Sequence, residues 1–531
     1  MFLGFPFACL LLLSSCNENH QHNFTKLVDK HESGHIYECD CGEKQTINHA
    51  YGDWNILIES TEDKLGKKER ICEVCDYIDQ QDIEKLAHQH QFAKEWLFDE
   101  QTHYNQAICG HSDVKGNEEQ HQYVDGACTT CGVSEDISLF TFKTTKSNEM
   151  QAYASITGFH GSTVTSIHFP KEYRGLPVQE VDSAVFQACQ SLENVYFEGG
   201  LEAWCKIRFL SPSSNPMFNG KHFFLKNDKN EWEEVTKLTI PNTIESIKDN
   251  QFYGFENVTE VTMESVNSIG TSAFMNCSKL NIIELPAIKR LEHNVFTNCS
   301  SLESIVIPNG VEFIGANAFD GCLALESITL YGSVKTIEEQ AFASCNNLVN
   351  VYYDGTIEDW CQIDFDEYGT IMKEQSTFYL KNDTIWEKVT TLIIPNTVTK
   401  IKNYQFQYFC QITDIVLADS ITEIGDYAFF NCINISSITI PDRVESIGQN
   451  AFSICENLRS IVLPKSLKSV GEYCFLLCKK LTTIYYKGTK EEFDLANLDV
   501  TLGFVYYYSE DKPLEEGKYW HYLEGNPTKW I

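Results

Sequence analysis

Histidine and cysteine are concentrated in the first quarter of the chain, at spacings suited to metal binding. Residues 17–136 contain ten of the 15 histidines and seven of the 21 cysteines. Four units repeat there, and each opens with His-x-aromatic and closes with a pair of soft ligands. Two thiolates on one tight turn can bind the same tetrahedral zinc ion, and two imidazoles can complete the site. We therefore predict metal sites in this segment.

The candidate ligands form two sets of four and two incomplete sets. In the first unit we expect His22, His35, Cys39 and Cys41 to converge, and in the third unit His90, His103, Cys109 and His111. The second unit has His49, Cys72 and Cys75, and the fourth has His121, Cys128 and Cys131; neither has an obvious fourth ligand. Structural zinc would allow small polar units with little core to fold. Outside the cytoplasm the cysteine pairs can instead oxidise to disulfides, or they can remain free thiols beside surface histidines.

One string in this segment matches a catalytic motif. His31-Glu-Ser-Gly-His35 fits H-E-x-x-H, in which two histidines on one helix face bind zinc and the glutamate acts as base. Gly34 lies inside the motif, and the sequence from Glu38 to Cys41 is typical of a turn, so we do not expect a helix. A zinc peptidase is therefore the least favoured functional hypothesis, and we predict that the protein is not an enzyme.

The first sixteen residues have the pattern of an export signal. Residues 2–13 form an apolar run that is too short to span a bilayer but suits a signal peptide. The run ends in Leu13-Ser14-Ser15-Cys16, which resembles the bacterial lipobox, although no basic residue precedes it. We expect residues 1–16 to be a lipoprotein-type signal peptide, Cys16 to be lipidated, and the acyl chains to anchor the protein at the cell surface.

Composition narrows the class of protein further. The chain has 531 residues, enough for three or four domains of about 150 residues each. Its formal net charge of −34 disfavours binding to phosphate backbones, so we expect no nucleic-acid partner. Hydrophobic residues make up 43% of the chain, which is sufficient for a packed core.

After the His/Cys segment, a longer pattern repeats: Ala-Phe-x-x-Cys-x-x-Leu. Consecutive copies lie 22 or 23 residues apart wherever no insertion intervenes. The phenylalanines are Phe186, Phe252, Phe274, Phe296, Phe319, Phe342, Phe406, Phe429, Phe452 and Phe475, and Phe255 and Phe409 replace the cysteine in two copies. Such a short unit cannot bury its apolar side chains alone, whereas stacked units share one continuous core. The pattern therefore predicts a solenoid.

A complete unit is visible in residues 302–322. Leu302, Ile305 and Ile307 suit a short strand that faces inward, and Pro308 ends it because proline cannot continue donating to a ladder. A second short extended piece and a compact helical turn at Phe319 follow. The unit resembles the BspA-type leucine-rich repeat family. The resemblance implies a β-rich leucine-rich repeat solenoid with short helical turns, in a bacterial surface or secreted protein used for adhesion or binding.

The repeats and their interruptions divide the chain into four parts. We expect a signal peptide at 1–16, irregular Cys/His-rich repeats at 17–136, the solenoid at 137–490 and an aromatic C-terminal cap at 491–531. Two insertions, at 201–240 and 357–395, are copies of each other and share a Trp-Cys pair, a Leu-Lys-Asn-Asp string and a second tryptophan. They are interpreted either as hairpin-like elaborations of the solenoid or as ligand-binding protrusions.

The strand residues that point away from the core form a nearly uncharged column, interrupted by Glu284. Its candidate binding residues are Tyr196, Thr262, Val306, Thr329, Tyr352, Val416, Thr439, Val462 and Tyr485. Extended solenoid faces are common binding surfaces, although β-branched residues are also favoured in strands for their own sake. The leading hypothesis is a lipid-anchored surface protein that binds a protein or glycan on host or neighbouring cells, and the alternative is a passive spacer of the envelope.

Overall fold

The computed structural model describes residues 22–86, 90–99, 101–109, 114–124, 127–131, 134–145, 152–496, 504–514 and 517–530. Cys16 and the expected signal peptide therefore lie outside the described residues. The chain divides into two compact units, one of residues 1–94 with 106–116 and the other of residues 95–105 with 117–531. Within the described ranges, no helix is long and apolar enough to cross a membrane.

The N-terminal part of the chain consists of small antiparallel sheets. The strands of the first sheet are Lys26–His31, Gly34–Glu38 and Lys44–Ile47, and those of the second are Asn55–Ile58, Gly66–Ile71 and Ile78–Ile83. A third sheet contains Phe92–Phe98, Thr102–Ala107 and Lys115–Gln120, and it is followed by the short pair Tyr123–Val124 and Ala127–Cys128 and a 3-10 turn at Glu135–Leu139.

These sheets have almost no apolar core. In the described part of the first unit, the buried hydrophobic residues are Cys39, Cys72, Cys75 and Ala107. Ile56 and Ile58, by contrast, are 51% and 52% exposed. Three of the four buried residues are thus cysteines, and the hydrophobic effect of so few side chains is too small to hold a fold of this length.

The second unit contains a solenoid with two ladders of mostly parallel strands. The strands of the first ladder are Ser166–Phe169, Asn194–Phe197, His222–Lys226, Lys237–Thr239, Glu260–Thr262, Ile282–Ile283, Ser304–Val306, Ser327–Tyr331, Asn350–Asp354, Thr377–Asn382, Thr391–Ile393, Asp414–Val416, Ser437–Thr439, Ser460–Leu463 and Thr483–Tyr486. Those of the second are Leu176–Val181, Arg208–Phe209, Ser246–Ile247, Ser268–Ile269, Arg290–Leu291, Phe313–Ile314, Thr336–Ile337, Asp364–Phe365, Lys400–Ile401, Glu423–Ile424, Ser446–Ile447 and Ser469–Val470. Strands Phe140–Thr145, Tyr153–Phe159 and Glu172–Tyr173 precede or flank them.

One continuous core runs through the stacked coils, as the repeat pattern predicts. The phenylalanine rings of successive coils stack face to face; the Phe296 and Phe319 centroids, for example, are 5.4 Å apart and those of Phe319 and Phe342 are 5.2 Å apart. The cysteine three residues after each phenylalanine is buried beside this column. The predicted fold class, a β-rich leucine-rich repeat solenoid, is confirmed.

The turn between phenylalanine and cysteine explains another part of the repeat. The second residue after phenylalanine has a left-handed backbone, with φ of 65° at Asn276, 61° at Asn298 and 74° at Gly321. Asparagine and glycine tolerate this conformation better than other residues. Their recurrence before the cysteine therefore follows from backbone geometry.

Each insertion forms one enlarged coil. Short helices, Gly200–Lys206 and Ile357–Gln362, place Trp204 and Trp360 in the core, where both indoles are buried. Small 3-10 turns lie at Pro212–Ser214 and Pro216–Phe218. Antiparallel strands Trp232–Glu234 and Ile385–Lys388 then form hairpins with the preceding first-ladder strands. The hairpin-like interpretation of the insertions thus matches the observed strand pairing.

The C-terminal residues extend the last sheet. After the helix Lys490–Ala496, strands Val505–Tyr508, Tyr519–Leu523 and Asn526–Lys529 continue the sheet beyond Thr483–Tyr486. Trp520 is fully buried and packs with Val462 and Tyr485. An aromatic layer therefore covers the outer face of the last coils.

Candidate metal centres and binding face

Four potential ligands converge in the first of the two compact units: His35, His49, Cys72 and Cys75. Their ligand atoms all lie within 4.8 Å of one another. The Nδ1 atom of His49 is 3.3 Å from the Cys75 Sγ, and the Nδ1 of His35 is 3.9 Å from the Cys72 Sγ. Strand Gly34–Glu38 carries His35, and a tight turn after Gly66–Ile71 carries the two cysteines, closed by a hydrogen bond from the Asp76 N–H to the Cys72 carbonyl.

A second group of the same composition lies in the other unit: His103, His121, Cys128 and Cys131. The ligand atoms again lie within 4.8 Å of one another. The Nδ1 of His103 is 3.6 Å from the Cys128 Sγ, and the Nδ1 of His121 is 3.5 Å from the Cys131 Sγ. The His103 side chain is fully buried, so this group too is shielded from solvent on one side.

These distances fit a tetrahedral zinc ion. With Zn–S of about 2.3 Å and Zn–N of about 2.0–2.1 Å, a tetrahedral angle places nitrogen and sulfur about 3.6 Å apart. The four nitrogen-to-sulfur distances of the two groups, 3.3, 3.9, 3.6 and 3.5 Å, lie on both sides of this value. Each group can therefore hold one metal ion.

The outer hydrogen bonds of two histidines match this geometry. The Nε2 of His49 is 2.8 Å from the His31 carbonyl oxygen, and the Nε2 of His121 is 2.9 Å from the Asp99 carbonyl oxygen. A carbonyl can only accept, so each Nε2 carries the proton and each Nδ1 presents its lone pair to the cysteines. Metal-bound histidines are oriented by this kind of contact.

Two further clusters are smaller. The His22 Nδ1 lies 3.4 Å from the Cys39 Sγ and 3.1 Å from the Cys41 Sγ, and these three residues form a third group. The His90 Nδ1 lies 3.4 Å from the Cys109 Sγ. His111, which was also predicted as a ligand in the third repeat unit, lies outside the described residues.

The ligand sets differ from those predicted in one respect. His35 and His103 were expected to complete the first and third sets, but they join the second and fourth, which had no obvious fourth ligand. The prediction followed closeness in sequence, whereas the sheets bring together residues from consecutive units. The two histidines also differ in burial: His35, in the group with Cys72 and Cys75, is buried, whereas His22, beside Cys39 and Cys41, is exposed.

In each four-residue group one thiol, Cys72 or Cys128, ionises readily, whereas burial raises the pKa of Cys75. Burial opposes ionisation of Cys72, but backbone N–H donors of Val74 and Cys75 and the His49 side chain together lower its pKa to about 6. The pKa of Cys128 is lowered to about 5 against the same effect of burial, through backbone donors and His121. Thiolates are the form in which cysteine binds metal. No disulfide joins the described cysteines in this structure.

The H-E-x-x-H string does not form the helix on which its chemistry depends. Residues His31 and Gly34 pair across the hairpin of strands Lys26–His31 and Gly34–Glu38. The His31 side chain is exposed, and its Nδ1 is 2.8 Å from the Ser33 Oγ. His35, by contrast, is buried in the group that contains His49, Cys72 and Cys75. The two histidines therefore do not share one helix face.

The outward column on the first ladder is only partly exposed. Val306 and Val416 are 54% and 53% exposed, Thr439 is also exposed, and Tyr196, Thr262, Thr329 and Tyr352 are half-buried. Val462 and Tyr485 are buried beneath Trp520. These two predicted binding residues are thus covered by the C-terminal strands, and the accessible column ends at Thr439.

The strand pairing adds several residues to the column that were not predicted. Thr239 and Ile393 pair with Thr262 and Val416, and Phe224 and Tyr379 pair with Tyr196 and Tyr352. Ile393 is 61% exposed. The Leu-x-Ile-Pro pattern at 238–241 and 392–395 is the sequence signal that identifies the first two. Phe224 and Tyr379 lie within the insertions, where the repeat spacing gives no register.

The repeats assign the solenoid to a family. Residues 227–349 and 384–496 match the family described as BspA type leucine rich repeat region, in six copies. The solenoid belongs to the BspA-type leucine-rich repeats. The match includes the column residues Thr262, Val306, Thr329, Val416 and Thr439.

A comparison with solved structures finds several similar chains. A leucine rich cell surface protein from Faecalibacterium prausnitzii A2-165 is 22% identical, with 70% of this chain and 96% of that one covered and a TM-score of 0.38. A leucine-rich repeat protein from Bacteroides ovatus ATCC 8483 is 18% identical, with 69% and 98% covered and a TM-score of 0.39. The pneumococcal vaccine antigen PcpA is 15% identical, with 70% and 91% covered and a TM-score of 0.36. No curated protein is significantly similar in sequence.

Proposed function

We propose that this BspA-type protein is an exported, lipid-anchored bacterial surface protein whose solenoid binds a protein or glycan on host or neighbouring cells. The observation that carries the proposal is the outer column of the first ladder, which is nearly uncharged apart from Glu284. It contains exposed Val306, Ile393 and Val416 on a chain with a net charge of −34. Exposed apolar side chains in a row favour contact with another macromolecule, because water contact with them is unfavourable.

A binding assay tests the proposal. The full exported chain is applied to immobilised extracellular-matrix proteins and cell-wall glycans, and retained protein is measured. We expect saturable binding to at least one surface, and Val306→Glu with Val416→Glu to weaken it at least about tenfold, because the partner would have to desolvate two carboxylates.

Leu323 provides the matched control. It is 51% exposed but lies in the turn after Cys322, outside the column, so Leu323→Glu should leave binding unchanged. Equal loss in both variants, or none in the column variant, would contradict the assignment of the binding face. Absence of binding to every surface, together with an envelope defect on deletion of the gene, would favour the spacer alternative.

We also propose that zinc is the metal of the N-terminal groups and that its role is structural. Two histidines and two cysteines are a donor set that zinc prefers, and a closed set of four protein ligands is typical of structural rather than catalytic sites. The nearly absent apolar core of the first unit supports this role, since zinc binding would replace hydrophobic burial as the source of stability. Metal analysis of the purified chain should find at least two zinc ions per molecule; a metal-free folded chain would refute the proposal.

A further inference from the structure

We infer that the N-terminal metal sites have interleaved ligands, so that the folding module is a pair of repeat units rather than one unit. The inference rests on the proposed zinc binding and specifies how it is organised. Along the chain, His22 serves the first site, His35 the second, Cys39 and Cys41 the first again, and His49, Cys72 and Cys75 the second. One unit alone therefore lacks a ligand.

The geometry of His35 carries this assignment. Its ring centroid lies 5.4 Å from that of His49, and its Nδ1 lies 3.9 Å from the Cys72 Sγ. The ring is buried with Cys72 and Cys75, although His35 is only four residues from Cys39. Strand Gly34–Glu38 thus carries a ligand of the second site and leads directly into the cysteine pair of the first.

Two hydrogen bonds between the first and second His/Cys repeat units support the same arrangement. The His49 Nε2 donates to the carbonyl of His31, on the strand that pairs with the one carrying His35. Lys30, on that same strand, donates through its Nζ to the Cys75 carbonyl at 2.9 Å. The second site is therefore held by the hairpin of the first repeat unit as well as by the turn that carries Cys72 and Cys75.

The ligand order recurs later in the chain. His90, His103, Cys109, His121, Cys128 and Cys131 repeat the order of His22, His35, Cys39, His49, Cys72 and Cys75. Of these, His103 again joins the group that contains the following His and Cys-x-x-Cys pair, with its Nδ1 facing Cys128. The same displacement of one histidine in two copies indicates that it is a property of the repeat and not of one site.

Thiol protection in single variants of the full chain tests the inference. Zinc-bound thiolates resist alkylation, so the zinc-loaded protein is treated with iodoacetamide and the labelled cysteines are quantified by peptide mass spectrometry. We expect His35→Ala to increase labelling of Cys72 and Cys75 at least about tenfold over that of Cys39 and Cys41, since the lost ligand weakens only its own site. His22→Ala should give the reverse pattern.

His31→Ala is the matched control, because His31 lies on the same hairpin but outside the metal groups. It should protect all four cysteines like the wild type. Labelling of Cys39 and Cys41 in His35→Ala, or equal labelling of both pairs, would overturn the interleaved assignment. Failure of the zinc proposal is distinguishable, because the wild-type chain would then contain no zinc and would label at both pairs.

Discussion

The repeated thiol of the solenoid donates a hydrogen bond as well as filling space. The Cys322 Sγ lies 3.2 Å from the Phe296 carbonyl oxygen of the preceding coil, and the Cys345 Sγ lies 3.1 Å from the Phe319 carbonyl oxygen. A thiol is a weak donor, but here it meets a buried carbonyl. The cysteine thus links consecutive coils at a point where an alanine would fit but would remove this inter-coil contact, while the Phe296 carbonyl would still accept from the Cys299 N–H at 3.0 Å.

Removal of one such thiol should destabilise the solenoid measurably. We expect Cys322→Ala to lower the free energy of unfolding by about 1–2 kcal/mol, from lost packing and the loss of a weak inter-coil hydrogen bond. Urea denaturation followed by circular dichroism measures the change. Leu323→Ala, at the exposed neighbour, should stay within about 0.5 kcal/mol of the wild type. A Cys322→Ala variant as stable as this control would show that the thiol contributes nothing.

The ladder thiols should also be chemically inert. Burial raises the pKa of Cys345 to about 12, and it raises those of Cys299 and Cys322 well above the usual range. A thiol that stays protonated and buried does not react with alkylating agents. In the native chain at pH 8 we expect no iodoacetamide labelling of these three cysteines, and complete labelling after denaturation in guanidinium. Native labelling would show that the coils open.

At the scale of elements, each enlarged coil is joined to the next part of the solenoid by a pair of hydrogen bonds. The Trp360 Nε1 donates to the Gln405 carbonyl at 2.9 Å, and the Gln405 Nε2 donates to the Trp360 carbonyl at 2.6 Å. Trp204 and Gln251 form the same pair at 3.1 and 2.7 Å. These contacts span more than 40 residues of chain, so they fix the helix of each insertion against the coils that follow.

Loss of the indole donor should loosen this attachment. We expect Trp360→Phe to lower the free energy of unfolding by about 1–3 kcal/mol, because the Gln405 carbonyl would be buried without a partner. The Trp204→Phe variant should lose less stability, because the Gln251 carbonyl also accepts from the Asn215 Nδ2 at 3.2 Å. Thermal unfolding of both variants measures the effect. If neither variant changes stability, the paired contact is a consequence of packing and does not hold the coil.

The repeating elements were predictable from sequence, whereas the pairing of distant residues was not. The apolar positions of Leu302, Ile305 and Phe319 recur in every copy, so spacing alone identifies the strands and core. The fourth member of each His/Cys group, by contrast, comes from a neighbouring repeat unit; sequence distance placed His35 with Cys39 and Cys41, whereas it lies with His49, Cys72 and Cys75. Burial of Val462 and Tyr485 likewise depends on Trp520, which lies more than 30 residues beyond them and outside the repeat.

At the scale of the whole molecule, two different sources of stability are present in one chain. The solenoid core contains buried aromatic and aliphatic residues in every coil, and its stability is approximately a sum over neighbouring coils. The described part of the first unit buries three cysteines, one alanine and His35 instead. If zinc replaces the hydrophobic core there, metal removal should unfold the N-terminal segment without unfolding the solenoid.

Chelation tests this division directly. After dialysis against EDTA, we expect limited proteolysis to cleave the chain within residues 22–131 and to leave a resistant fragment that contains the repeats from about residue 137 onward. The β-sheet signal of the solenoid in circular dichroism should persist, because its strands are stabilised by apolar burial and inter-coil hydrogen bonds and do not depend on metal. Re-addition of zinc should restore protection, whereas magnesium should not, since thiolate and imidazole ligands select the softer ion. Cleavage at equal rates with and without EDTA would show that the N-terminal segment owes its stability to something other than metal.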